Sequence, residues 1–165
     1  MEDRLFADLA ALNIGWQLVE HEAVFTVEES VRIDRGIPGA HTKNLFLKDA
    51  GGQYWLVTVL AHIRVDLKKF QAAIGSKKLS FGKAEDMIRL LQISPGSVTP
   101  LAAINDCDFA VKIVLDSRLV VADRINVHPL RNTATLGLVP ADLVRILKHW
   151  NHFPLVVEIP KMSPA

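Results

Sequence analysis

Apolar side chains recur at two different spacings along the chain, and the spacing separates predicted helices from predicted strands. Leu5, Phe6, Leu9 and Leu12 repeat at intervals of three or four residues, which predicts an amphipathic helix over residues 3–13. The same spacing, bounded by residues that favour helix starts and stops, predicts four further helices. They cover residues 26–35, 67–74, 83–91 and 140–150.

Three of these helices carry boundary signals of their own. Thr26-Val27-Glu28-Glu29 is a capping-box sequence, in which the threonine hydroxyl accepts from first-turn N–H groups and the second glutamate reaches back. Asp66 can cap the helix that Gly75 ends, and Pro140 suits the first position of the last helix. These residues place the starts of three helices.

Shorter runs of alternating or continuously apolar residues predict strands. Residues 43–49 and 53–60 are two such runs, and the glycine pair between them is a hairpin signal. Residues 92–106 lack a regular pattern and contain two prolines and a glycine. The remaining predicted strands cover residues 16–20, 79–81, 109–115 and 119–128, the end of the segment 126–136, and residues 153–159.

Strands outnumber helices in this pattern, and several strands follow one another through turns without a crossover helix. This arrangement favours the α+β class, with helices packed outside a mixed, mostly antiparallel sheet. No internal repeat and no linker composition divides residues 1–165, so we expect a single domain.

Composition and charge narrow the class of protein. Of the 165 residues, 50% are hydrophobic and 22% are charged, which is typical of an ordered globular chain. The net charge of +1 is lower than a strongly basic nucleic-acid binder would carry. Cys107 is the single cysteine, which excludes an internal disulfide and favours a reducing compartment. With no signal-peptide core and no apolar run of about 20 residues, we expect a cytoplasmic protein without a membrane partner.

Several common catalytic motifs are missing from the sequence. It contains no phosphate-binding loop, no dinucleotide fingerprint and no Gly-x-Ser-x-Gly elbow. The six histidines are scattered without a His-Glu-x-x-His pattern, so a metal-dependent hydrolase has little support. Cys107 lies between Asp106 and Asp108, whose negative charge disfavours a thiolate nucleophile.

Three loop segments combine glycine or proline with polar side chains. Lys43 stands where the loop 36–42 meets a strand, so it can point over a pocket or merely extend along the strand end. Pro95-Gly96 favours a turn whose N–H groups could receive an oxyanion, or an ordinary solvated turn. His128, held extended by Pro129, could line a pocket or be a structural histidine at a sheet edge.

Together these segments resemble the YbaK-type aminoacyl-tRNA deacylases, freestanding relatives of the editing domain inserted in bacterial prolyl-tRNA synthetase. The resemblance rests on residues 37–48, on residues 95–100 with 104–106, and on residues 126–135. It extends from about residue 5 to residue 159 and is greatest toward the proteins that act in trans on alanyl-tRNA(Pro). It implies a single barrel-like α+β domain with its core over about 5–159.

The resemblance also implies an activity and a site. The family hydrolyses the ester that links a wrong amino acid to the terminal adenosine of tRNA. Water attacks with help from the substrate's ribose hydroxyl, so we expect no metal, no cofactor and no protein nucleophile. Lys43, Gly96 and Ser97 match the catalytic positions: the lysine holds the acceptor end or its phosphate, and the loop backbone holds the aminoacyl group. The expected substrate-binding residues are Ile33, Asn44, Val98, Pro100 and His128.

The expected substrate is alanyl-tRNA(Pro), because a synthetase pocket rejects a smaller amino acid poorly and a second, smaller site can exclude the cognate proline. Two alternatives stay open: a cysteinyl-tRNA(Pro) deacylase, and a non-catalytic module that binds aminoacyl-tRNA or a synthetase. The expected partner is the acceptor end of mischarged tRNA(Pro), with prolyl-tRNA synthetase as a further candidate.

Overall fold

Eight strands form one mixed sheet in the computed structural model, which describes residues 2–24 and 27–163. Each strand follows a short apolar or alternating run of the sequence. The strands are β1 (Gln17–Glu20), β2 (Ala40–Asp49), β3 (Tyr54–Leu60), β4 (Leu79–Phe81), β5 (Val111–Asp116), β6 (Ile125–Val127), β7 (Ala134–Leu138) and β8 (Leu155–Val157).

The sheet is open, with the strand order β1-β7-β6-β2-β3-β5-β8 and with β4 paired to β2 beside this path. Strands β2 and β3 form the predicted antiparallel hairpin, in register from Thr42 opposite Leu60 to Lys48 opposite Tyr54. The pairs β1–β7, β2–β4 and β6–β7 are also antiparallel, whereas β2–β6, β3–β5 and β5–β8 are parallel. The expected α+β fold with a mixed, mostly antiparallel sheet is therefore confirmed, although the sheet does not close into a full barrel.

Helices pack outside this sheet, as expected. In the described ranges they are α1 (Glu2–Ala11), α2 (Val27–Asp34), α3 (Leu67–Ile74), α4 (Ala84–Leu91), α5 (Ser117–Val120) and α6 (Pro140–His149), with 3-10 segments at Pro95–Ser97 and Pro100–Asn105. Asp66 caps α3 as predicted, since its side chain accepts from the Lys69 N–H at 3.1 Å, and Gly75 ends the helix at φ 69°. Thr26 of the predicted capping box lies outside the described residues. None of the described helices is long and apolar enough to cross a membrane.

The strand predicted over residues 119–128 is wrong for its first half. Asp116 is fully buried and its carboxylate accepts from the Arg118 N–H at 3.0 Å, which starts α5 directly after β5. The Arg118 guanidinium also binds this carboxylate, with Nη2 at 2.7 Å from Oδ2. The short apolar run that suggested a strand therefore begins in a helical turn, and extended structure resumes only at β6.

Apolar side chains fill both faces of the central strand β3. Leu56 belongs to the core that also contains side chains of α1, α4 and α6, whereas Trp55 and Val57 belong to a second core with Phe70 of α3. Burial on both faces explains why the β3 sequence is apolar apart from Thr58. The 3-10 segment Pro100–Asn105 is buried in the first core from Leu101 to Ile104, and it anchors the loop 94–99 that precedes it.

Candidate active site

A cavity of about 240 Å³ lies where β2, β6, β7, α2 and the loop 94–99 meet. It brings together the three loop segments that the sequence singled out, although they are separated by tens of residues in the chain. Its lining consists of Ser30 and Asp34 of α2, His41, Thr42, Lys43 and Asn44 of β2, Pro95, Gly96 and Val98 of the loop, Asn126, Val127 and His128 in and after β6, and Thr135 of β7.

Lys43 supplies a positive charge to this cavity. Among the described residues, no carboxylate oxygen lies within 4.0 Å of its ammonium. Burial lowers the pKa of Lys43 because desolvation disfavours the charged form. A partly desolvated ammonium without an ion-pair partner is suited to an anionic group of a ligand, such as a phosphate or a developing oxyanion.

Asn44 ties the loop 94–99 to the sheet. Its Nδ2 donates to the Val98 carbonyl at 3.0 Å, and its Oδ1 accepts from the Thr58 hydroxyl at 2.6 Å. Thr58 is fully buried on β3, so this hydroxyl has no access to water. Asn44 lines the cavity as expected, but both ends of its amide already bind protein groups, which makes it a residue that positions the loop.

The loop itself presents backbone to the cavity at Gly96. Its turn closes with the Ser97 N–H donating to the Ser94 carbonyl at 2.9 Å. Among the described residues, a Cβ built on Gly96 would meet only the Asn132 Nδ2, at 3.4 Å, which is an ordinary contact. The described part of the chain therefore leaves room beside Gly96, where a ligand in the cavity could approach the main chain closely.

His128 lines the cavity with a ring whose proton position is fixed by geometry. Its Nδ1 lies 3.2 Å from the Ala134 carbonyl oxygen. Because a carbonyl only accepts, Nδ1 carries the proton and Nε2 of the neutral ring is an acceptor. Burial lowers the pKa of His128, which favours this neutral form at pH 7.

Asn126 and His41 hold the glycine-rich loop 36–39 against β6. The Asn126 Nδ2 donates to the Pro38 carbonyl at 3.1 Å, and the His41 Nε2 donates to the Ile37 carbonyl at 3.0 Å. The His41 Nδ1 lies 3.4 Å from the Asp34 Oδ1, which places this histidine beside the end of α2. These contacts form the wall of the cavity beside Lys43.

The aminoacyl-tRNA editing domain family has a model that matches residues 21–146, and this range includes every residue that lines the cavity. The chain belongs to this family. The resemblance predicted from the sequence is therefore confirmed.

Two relatives extend the similarity over most of the chain. The prolyl-tRNA synthetase associated domain-containing protein 1 of Bos taurus is 41% identical, over 93% of this chain and 92% of the relative. The prolyl-tRNA editing protein ProX of Acetoanaerobium sticklandii is 39% identical, over 87% of this chain and 88% of the relative. A crystal structure of a candidate trans-editing enzyme for prolyl tRNA synthetase covers 98% of this chain and 97% of that one, with a TM-score of 0.74. Its identity of 20% shows a shared fold.

The predicted site residues of this editing-family member fall into two groups. Lys43, Asn44, Gly96, Val98 and His128 line the cavity. Three predicted residues do not line it, namely Ile33, Ser97 and Pro100.

Each of these three residues lies within two positions of a lining residue in the sequence. Ser97 is 6% exposed, and its hydroxyl accepts from the Ser94 Oγ at 3.2 Å. Pro100 is buried at the start of its 3-10 segment, and Ile33 precedes the cavity residue Asp34 on α2. Their assigned roles stay predictions, and any contribution of Ser97 would come through its backbone.

Sequence reasoning missed several lining residues. His41, Thr42 and Asn126 lie within segments that the sequence singled out, but their roles were not assigned. Thr135 also lies within such a segment, residues 126–135, and was assigned no role. Asp34 carried no local signal, because the end of a helix looks ordinary in the sequence. In the described part of the chain, no group of three or more His, Cys, Asp and Glu side chains is arranged to hold a metal ion.

Proposed function

We propose that this protein is a trans-editing deacylase that hydrolyses the ester of mischarged tRNA(Pro), with alanyl-tRNA(Pro) as its preferred substrate. The observation that carries the proposal is the Lys43 ammonium, which has no ion-pair partner within 4.0 Å among the described residues and shares a small cavity with Gly96 in a member of the editing family. The relatives named for prolyl-tRNA editing and for association with prolyl-tRNA synthetase support tRNA(Pro) as the tRNA and the synthetase as a partner.

The proposed reaction is attack of water on the ester carbonyl. The attacking water gives up a proton as the new C–O bond forms and the carbonyl oxygen becomes an oxyanion. The bond to the ribose oxygen then breaks as that oxygen takes up the proton that the water released. Lys43 can neutralise this oxyanion or the phosphate of the terminal adenosine, and the turn at Gly96 can hold the aminoacyl group. An aminoacyl ester is already reactive, so orientation and charge stabilisation suffice without a covalent enzyme intermediate.

Cavity size supports a single aminoacyl group as the occupant. At about 240 Å³, the cavity lies below the usual range of about 300–1,000 Å³ for ligand pockets. Binding alone discriminates against a missing methylene by only about 1–3 kcal/mol, so a small second site that excludes proline sterically adds the needed selectivity. Cysteine is the competing small substrate for the same cavity. Such an enzyme would act in the cytoplasm, where aminoacyl-tRNA is made.

The test is deacylation of alanyl-, cysteinyl- and prolyl-tRNA(Pro) at substrate excess, with and without a chelator. We expect multiple turnovers on alanyl-tRNA(Pro), slow release from the other two, and no effect of the chelator. Lys43→Ala should lower kcat/KM by roughly 100-fold or more, in the range found when one group that stabilises an oxyanion is removed.

Lys48→Ala is the matched control, because Lys48 is an exposed lysine of the same strand that lies over the Tyr54 ring and outside the cavity. It changes the net charge equally and should leave the rate unchanged. An equal loss of activity in both variants would show that Lys43 contributes only to the overall positive charge of the protein. Measurable tRNA binding without release from any ester would instead identify a binding module.

A further inference from the structure

A hydrogen bond between β7 and the residue that follows its neighbour β1 orients a hydroxyl of the cavity lining. Thr135 lies on β7 opposite Val19, and its Oγ1 is 2.9 Å from the Nε2 of His21. The Nδ1 of His21 lies 2.8 Å from the Glu22 carbonyl oxygen, so Nδ1 is the protonated nitrogen. In the neutral ring, Nε2 therefore accepts the Thr135 hydroxyl proton, and the lone pairs of Oγ1 are left for the cavity.

Two further acceptors share the cavity with Thr135. The Nε2 of His128 is an acceptor because its Nδ1 faces the Ala134 carbonyl at 3.2 Å. The carboxylate of Asp34 also lines the cavity, with its side chain 30% exposed. We call Thr135, His128 and Asp34 the acceptor wall.

The cavity is thus divided by chemical character. Lys43 offers a cationic donor and Gly96 an open stretch of backbone, whereas the acceptor wall offers oxygen and nitrogen lone pairs and one negative charge. An esterified amino acid has the same division, since its carbonyl and the adjoining phosphate require donors and its α-ammonium requires acceptors. A bound aminoacyl group therefore has one orientation that satisfies both ends.

We infer that the acceptor wall binds the free α-amino group of the esterified amino acid, with Thr135 as the direct contact and His21 as the residue that positions its hydroxyl. This inference rests on the proposed function. It makes the α-amino group a required recognition element, in addition to a small side chain. Aminoacyl groups that lack a free amine would lose the contact.

The test measures binding to analogues that cannot be hydrolysed, so that it does not depend on turnover. Two tRNA(Pro) molecules ending in 3′-amino-3′-deoxyadenosine would carry either an alanyl or a propionyl group in amide linkage. The two acyl groups have the same carbon skeleton and differ in the amino group alone. The wild-type protein should bind the alanyl analogue at least about 10-fold more tightly, the difference expected for one hydrogen bond to a charged donor.

Substitutions assign the difference to Thr135. Thr135→Val removes the hydroxyl at nearly constant volume and should bring the preference below about 2-fold, chiefly by weakening alanyl binding. Thr135→Ser should restore it, and Thr133→Val is the matched control, because the Thr133 hydroxyl binds the Arg131 guanidinium outside the cavity. His21→Phe should also reduce the preference, and it should have no further effect in the Thr135→Val background.

Each result has a distinct meaning. An unchanged preference in Thr135→Val, or equal weakening of both analogues, would overturn the inference. Equal binding of the two analogues by the wild-type protein would do the same. Failure of the proposed function has a separate signature, because it is read from the absence of turnover on alanyl-tRNA(Pro), whatever the analogues show.

Discussion

Replacement of Asn44 by alanine should loosen the loop 94–99 at the candidate site and lower the free energy of unfolding by an amount that can be worked from the structure. The change removes the bond to the Val98 carbonyl at 3.0 Å and the bond from the Thr58 hydroxyl at 2.6 Å. A net loss of about 1 kcal/mol is typical of the first, and an unsatisfied buried hydroxyl costs about 1–3 kcal/mol. We expect the free energy of unfolding to fall by roughly 2–4 kcal/mol, which corresponds to a Tm lower by about 5–15 °C.

A double-mutant cycle separates the two contributions. Thr58→Val removes the buried hydroxyl, so in the Asn44→Ala background it should recover about 1–2 kcal/mol of the loss. Urea unfolding followed by tryptophan fluorescence gives each free energy, and deacylation assays give the accompanying loss in kcat/KM. The activity should not recover with Thr58→Val, because the tether to Val98 stays broken. A loss below about 0.5 kcal/mol in Asn44→Ala, or full activity in that variant, would refute the tethering role of Asn44.

Two further predictions separate stability from function. Folding lowers the pKa of Lys43 by burial, so the unfolded chain binds more protons between the folded pKa and the ordinary lysine value, and stability should rise with pH in that window. Lys43→Met should remove this rise in stability with pH, and it should be more stable than wild type at pH 7 while losing deacylation. Urea titrations at several pH values measure the stability. A variant less stable than wild type at pH 7 would contradict the effect of burial. Gly82→Ala should lower the free energy of unfolding by about 1–3 kcal/mol, because its Cβ would lie 2.4 Å from the Phe46 ring. Gly96→Ala should change the free energy of unfolding by less than about 0.5 kcal/mol and still impair deacylation. Equal stability losses in the two glycine variants, measured by thermal unfolding, would contradict this assignment.

Short sequence patterns predicted the helices and strands whose boundaries depend on neighbouring residues. The β2–β3 hairpin follows from two apolar runs around a glycine pair, and α3 follows from Asp66 and Gly75 at its ends. The first half of the strand predicted over residues 119–128 is wrong because a buried contact decided the outcome, whereas β6 lies in its second half. The Asp116 carboxylate is fixed by Arg118 and starts a helical turn, which hydrophobic periodicity does not register.

The sequence predicted which loops form the candidate site, but it did not predict the hydrogen bonds that join them. His128 directly follows β6, as its position before Pro129 suggested. Lys43 lies inside β2, which begins at Ala40 and therefore earlier than predicted, and Gly96 lies within the 3-10 segment Pro95–Ser97. The contact between His21 and Thr135 joins residues 114 positions apart and depends on the β1–β7 register. Because strand pairing in the folded protein brings these two residues together, no short segment of the sequence predicts their contact.

The hydrogen-bond partners of the cavity side chains explain how a site with so few charged groups could be effective. Asn44, Asn126 and Thr42 direct their donors to carbonyl oxygens of Val98, Pro38 and Asn126, and these bonds hold two loops in place. The amide and hydroxyl protons of these side chains are therefore used for architecture. Lys43 has no ion-pair partner within 4.0 Å among the described residues, and it stands between those fixed loops.

This division favours catalysis by preorganisation. A charge held in place before the substrate arrives needs little rearrangement in the transition state, and a partly water-excluded cavity strengthens its effect. An ester of an amino acid is reactive enough for that contribution to matter without a covalent intermediate. On this reasoning, variants that loosen the loops while keeping Lys43 should lose rate in proportion to loop mobility. Asn44→Ala and Lys43→Ala would then impair the same step by different physical routes.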